Sequence, residues 1–201
     1  MPSPMPSAAQ REPPSPEEQA RSAYNLGIRG VEKGDELRAD AARQSDARKQ
    51  EKLRRKADDA YAGAVRRFTR ATELKPGMHE AWNYLGYCQR KLGRFDAALS
   101  AYQKALSLKP DYAEAIEYRG QAYLGLNRLA DAKAAYLALF ASNRRLAASL
   151  LAAMQQWVGE HRGGSDVDAG TFDSFASWGN ERHAIATQTA GLTRAGAAVA
   201  W

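Results

Sequence analysis

Apolar and small residues recur in this chain with a helical period, and they recur again on a longer one. Between Met78 and Pro110 the positions Trp82, Leu85, Gly86, Ala98, Tyr102, Ala105 and Pro110 have the spacing of two short helices joined by a turn at Gly93. A shift of 34 residues lays Glu80, Ala81, Tyr84, Gly86, Leu92, Arg94, Ala98 and Tyr102 onto Glu114, Ala115, Tyr118, Gly120, Leu126, Arg128, Ala132 and Tyr136. A two-helix unit of this size cannot bury its apolar face alone, so the period predicts stacked neighbours.

The pattern extends upstream with an interruption. Ser15-Pro16-Glu17-Glu18 combines a capping hydroxyl, an early proline and acids near the positive end of the dipole, and it predicts a helix from about Pro16. Leu26-Gly27 repeats Leu85-Gly86, and Ala64, Phe68, Ala71, Leu74 and Lys75-Pro76 repeat Ala98, Tyr102, Ala105, Leu108 and Lys109-Pro110. Gly27 and Ala64 stand 37 apart where Gly86 and Ala98 stand 12 apart, so 25 residues are inserted.

Two geometries fit the insertion. If Gly34 ends the first helix, a single helix from about Glu36 to Leu74 projects past the repeat by about 37 Å at 1.5 Å per residue. If both helices lengthen together with Gly27 opposite Ala64, the turn falls between Ser45 and Asp46, where polar, cap-forming residues stand. Facing seams favour the hairpin: Ala23, Gly27, Gly30, Gly34, Leu37 and Ala41 on one helix, and Gln50, Leu53, Ala57, Ala60, Ala64, Ala71 and Leu74 on the other. Against it stand Gly30 and Gly34, each costing about 1 kcal/mol inside a helix.

The second unit resembles the tetratricopeptide repeat, whose W-x2-L-G, alanine, aromatic, alanine and proline pattern is matched by Trp82, Leu85-Gly86, Ala98, Tyr102, Ala105 and Pro110. The resemblance covers roughly residues 18 to 146 and implies an all-α solenoid of three helical hairpins, the first elongated. The third repeat, from Ala113 to about Leu146, has Ile116 in place of the tryptophan and no closing proline, as terminal repeats do. Leu146, Leu150, Met154, Trp157 and Val158 predict a capping helix at about 144–160. The expected organisation is a disordered proline-rich leader at 1–16, a repeat domain at 17–162 with a basic insertion at about 34–60, and a partly ordered segment at 163–201. Within that last segment Phe172, Phe175 and Trp178 suggest a further short helix over Thr171 to Thr189.

In this family the concave face is lined chiefly by the first helix of each repeat. The resemblance places Tyr24 and Ile28, with Arg21 and Val31, then Asn83, Tyr87 and Arg90, with Glu80, then Glu117, Gln121 and Leu124, with Glu114, in such a groove. Mixed charge, amides and aromatics suit an extended peptide or a partner helix. Some relatives hold a chaperone's C-terminal carboxylate with a lysine-and-asparagine clamp. The matching positions here are Tyr24, Ile28, Tyr84, Glu114 and Tyr118, so the clamp residues are absent.

Composition adds limits. The net charge is +6, with a basic arm at 43–56 carrying Arg48, Lys49, Lys52, Arg55 and Lys56. That arm could meet nucleic acid or an anionic surface. No aromatic residue interleaves for base stacking, however, and Arg54 and Arg55 have Asp58 and Asp59 at i+4, both of which weigh against nucleic acid. Cys88 alone supports no intramolecular disulfide. His79, His161 and His183 have no second ligand at helical spacing, and no phosphate loop or nucleophile elbow appears, so neither an enzyme nor a cofactor or metal site is expected. No membrane span or secretory signal is visible, which implies the cytoplasm as the sequence stands; Ser7-Ala8-Ala9 keeps the periplasm as the alternative if an upstream signal has been removed. The expected partner is an unidentified protein or peptide, with a second copy of the chain as the other candidate.

Overall fold

The computed structural model describes residues 13–164 and 166–198, with side chains as far as 188. Most of the proline-rich leader lies outside the described residues. Eight helices are present among those described: α1 (Pro16–Arg43), α2 (Ala47–Leu74), α3 (His79–Lys91), α4 (Phe95–Leu108), α5 (Ala113–Gly125), α6 (Leu129–Ser142), α7 (Arg144–Glu160) and α8 (Ala169–Ala198). They fall into two compact units that divide between Ala81 and Trp82.

The first unit is the elongated hairpin. Ser15 starts α1 with a reciprocal capping box: its hydroxyl accepts from the Glu18 amide, and the Glu18 carboxylate accepts from the Ser15 amide. Helix α1 runs through Gly34 instead of ending there, so the single projecting helix is not formed. The chain turns at Gln44, Ser45 and Asp46, and the Asp46 carboxylate caps α2 by accepting from the amides of Arg48 and Lys49.

The expected α1 seam is buried along its length except at the half-buried Gly30, but the α2 seam differs from expectation. Ala57, Ala64 and Ala71 of the expected seam are buried, but they are joined by the rings of Tyr61 and Phe68, while Gln50, Leu53, Ala60 and Leu74 are only half-buried. A Cβ added at Gly27 would lie 2.7 Å from the Phe68 ring, and one at Gly34 2.5 Å from the Tyr61 ring. Gly27 is therefore opposed by Phe68, and Ala64 meets Gly30 instead, at 3.1 Å from an added Cβ. The physical reason is side-chain direction: helical aromatics lean toward their own N-terminus, so a ring covers the backbone about a turn behind its Cα. The glycines lose propensity but admit rings where a methyl would collide. Polar bonds close the same interface, with the Tyr61 hydroxyl donating to Asp35 at 2.6 Å and Arg38 donating to Asp58 at 2.5 Å. At the open end Lys75 donates to Glu17.

The second unit repeats the same device on shorter helices. An added Cβ at Gly86 would lie 2.6 Å from the Tyr102 ring, which is fully buried with Ala98, Ala105, Ala115 and Ala122. Gly93, between α3 and α4, has φ +72°, and Asn127, 34 residues on, has φ +54°. Both occupy the left-handed region, which asparagine tolerates better than other side chains. At Gly120 the closest atoms come from Leu150 of α7, which runs from Arg144 to Glu160. Leu146, Leu150, Leu151, Met154 and Trp157 then form one core with Leu129, Tyr136 and Leu139 of α6. Helix α8 adds Phe175, Phe172 and Trp178 to that core and runs on to Ala198, well beyond the short helix expected.

A candidate peptide-binding face on α3 and α5

Within the second unit, Asn83, Tyr87 and Arg90 share one side of α3 at i, i+4 and i+7. The Tyr87 ring lies 5.1 Å from that of Tyr118 on α5 and 6.4 Å from that of Tyr84. The Arg90 guanidinium carbon stands 5.3 Å from the Tyr87 ring centre and 5.5 Å from that of Tyr118, and the Lys91 ammonium 5.2 Å from Tyr87. These are cation–π distances. Tyr84, Tyr118, Arg90 and Lys91 are half-buried and Tyr87 is buried, so the face is an aromatic surface carrying two cations with little freedom to swing away. No carboxylate among the described residues is ion-paired with Arg90. Behind it, burial pushes the Tyr102 phenol well above its ordinary value, with the Arg90 charge pulling the other way. That hydroxyl therefore stays neutral and packs as a core group.

The other expected groove positions are distributed unevenly. Gln121 is half-buried and donates to the Glu117 carboxylate at 2.6 Å, which also accepts from Ser149 of α7 at 2.9 Å. Glu117, Leu124 and Asn83 are buried, at 1%, 5% and 1% exposure, and so do not line an open groove as expected. For Glu117 and Leu124 the reason is α7, which packs on α5: Ser149 closes over Glu117, and Leu124 joins the core that holds Leu146 and Leu150. In the first unit Tyr24 and Ile28 are half-buried, and Tyr24 meets Phe68 edge-on at 5.7 Å.

Tyr84 and Tyr118, which the sequence marks only as clamp-matching positions, and Lys91 complete this face beyond the expected groove residues, with Tyr118 repeating Tyr84 one period later. An aromatic recurring on the first helix, outside the repeat's core positions, was the available signal.

On the arm, Arg48, Lys49, Lys52, Arg55 and Lys56 are all exposed, and Arg55 donates to Glu51 at 2.9 Å. Asp58 is held by Arg38 of α1 and not by Arg54, because the hairpin brings a closer cation from the facing helix. Among the described residues no group of histidines, cysteines and carboxylates could hold a metal ion, and no helix is long and apolar enough to cross a membrane.

Residues 79–112 match the family model of the tetratricopeptide repeat. No curated protein matches the chain in sequence. Among solved structures, the second TPR domain of human RPAP3, determined in complex with HSP70 peptide SGPTIEEVD, is similar at 18% identity and a TM-score of 0.52, over 69% of this chain and 96% of that one. The TPR2B domain of yeast Sti1 has 16% identity and a TM-score of 0.45 over 82% of this chain and 98% of its own; MamA has 22% and 0.43 over 84% and 95%. The chain therefore has the all-α, helical-hairpin fold of tetratricopeptide-repeat domains, and residues 79–112 match that repeat in sequence.

Proposed function

We propose that the chain is a non-catalytic interaction scaffold that binds an extended peptide or a partner helix on the α3–α5 face. The observation that carries this reading is Arg90, a cation held between the Tyr87 and Tyr118 rings without a carboxylate partner among the described residues. A peptide carboxylate reaching Arg90 gains a charge-assisted bond, and an apolar neighbour in the peptide covers the half-buried rings of Tyr84 and Tyr118. The fold likeness to a domain determined with a bound peptide supports the class of ligand. The missing clamp residues at Tyr24, Ile28, Tyr84, Glu114 and Tyr118 speak for internal acidic side chains of the peptide, not a free C-terminus, as the recognised group.

The test is selection of binders to the full chain from a random-peptide phage library, followed by fluorescence polarisation with the selected peptides. Selected peptides carry an acidic residue, and Arg90→Ala and Tyr118→Ala each weaken them about tenfold, equivalent to about 1.4 kcal/mol. Failure to select any peptide, or binding by both variants as tight as by the unaltered chain, overturns the reading.

A further inference from the structure

The first unit carries a further surface whose lining includes none of the expected groove residues. Between α1 and α2, near their open end, lies a hollow of about 550 Å³ whose floor is Gly30, Ala60, Gly63 and Ala64, with Leu26 at its rim. The two backbones come close here, since a Cβ at Gly30 would lie 3.1 Å from that of Ala64, so the floor is made of methyls and main chain. Leu26 is 41% exposed, one of few large apolar side chains among the described residues that are. Arg66, Arg67 and Arg70 stand along the α2 rim, all exposed. Arg70 meets Glu73 at 3.5 Å, while Arg66 and Arg67 are in no ion pair among the described residues; Asp59 is the one acid of the lining.

We infer that this hollow docks an acidic amphipathic helix of a partner protein. A furrow between two antiparallel helices receives the ridge of a third, and small residues on its floor let that third backbone approach closely. An apolar side chain of the incoming helix packs against Leu26 over Gly63, and carboxylates a turn to either side reach Arg66, Arg67 and Arg70. Charge complementarity sets the sign of the partner, and the apolar floor sets its form. Duplex phosphates gain nothing from methyls, and unstacked bases find no aromatic ring in the lining.

Gly63 provides a clean test. It lies inside α2, where an added Cβ meets only the Arg66 guanidinium at 3.8 Å, so a larger side chain fills the hollow without disturbing the hairpin. The probe is a fluorescein-labelled synthetic helical peptide with a leucine stripe flanked by glutamates, titrated with the full chain at low salt. A lysine-flanked version, duplex DNA and phosphatidylserine vesicles serve as the other arms. Gly63→Leu and Arg66→Glu/Arg67→Glu each weaken the glutamate peptide at least tenfold without lowering the melting temperature, the double variant gains affinity for the lysine peptide, and Arg90→Ala has no effect. No binding of the glutamate peptide, unchanged binding by Gly63→Leu, or tighter binding of duplex or vesicles overturns the inference.

Discussion

Hairpin α1–α2 and hairpin α3–α4 are built on the same unit, yet the first has two helices of 28 residues and the second helices of 13 and 14. Both set a glycine of the first helix under a ring of the second, Gly27 under Phe68 and Gly86 under Tyr102. The long hairpin then does it again one heptad further out, with Gly34 under Tyr61. Its extension therefore has a core of its own, and the polar pairs Tyr61–Asp35 and Arg38–Asp58 lie across it. The insertion reads as a continuation of the repeat's packing rule. Beyond Ala57 toward the turn that rule thins: Lys49, Lys52 and Lys56 face solvent, and Leu53 is only half-buried.

The strongest way to break this comparison is to remove the extra ring. Tyr61→Ala empties a fully buried site and removes the hydroxyl that donates to Asp35, with an expected loss of about 3–5 kcal/mol in urea unfolding. A loss below about 1 kcal/mol would mean that the extension is not a packed core. Next comes a contrast between two glycines of one hairpin. Gly34→Ala drives a methyl into the Tyr61 ring and should destabilise by about 1–3 kcal/mol despite the better helix propensity. Gly63→Ala meets only the Arg66 guanidinium, at an unstrained 3.8 Å, and should stabilise by about 0.5–1 kcal/mol. Thermal melts of the pair with the same sign of shift would end the proposed distinction.

The smallest effect concerns the start of α1, where Glu18 is held below its ordinary pKa by the Ser15 amide and then by the Ser15 hydroxyl. A depressed carboxyl favours the folded cap above its unfolded pKa and stops doing so as pH falls through the lowered folded value. Hydrogen exchange of the first-turn amides should accelerate, relative to the intrinsic rate, across that acid range. It should not do so in Glu18→Gln, and equal profiles for the two proteins would sink the claim.

Much of the fold was legible because it rests on local rules. The capping box at Ser15, the turn residues around Ser45 and Asp46, the 34-residue period and the capping helix all follow from patterns that a helix displays along its own sequence. The candidate site was less legible. Asn83, Glu117 and Leu124 stand at groove positions of the repeat but are buried, and for Glu117 and Leu124 this is because α7, a neighbour 20 or more residues away, lies over α5. Tyr118 joined Tyr87 and Arg90 only once the two first helices lay side by side.

By itself, then, the sequence determined that this protein is an all-α repeat with a doubled first hairpin, since hydrophobic period, caps and glycine spacing act over a few residues at a time. Which ring fills which glycine, which acid Arg38 takes, and which groove positions stay open were decided by the tertiary structure. Those depend on the lean of long side chains and on contacts between residues far apart in sequence, and no single helix carries that information.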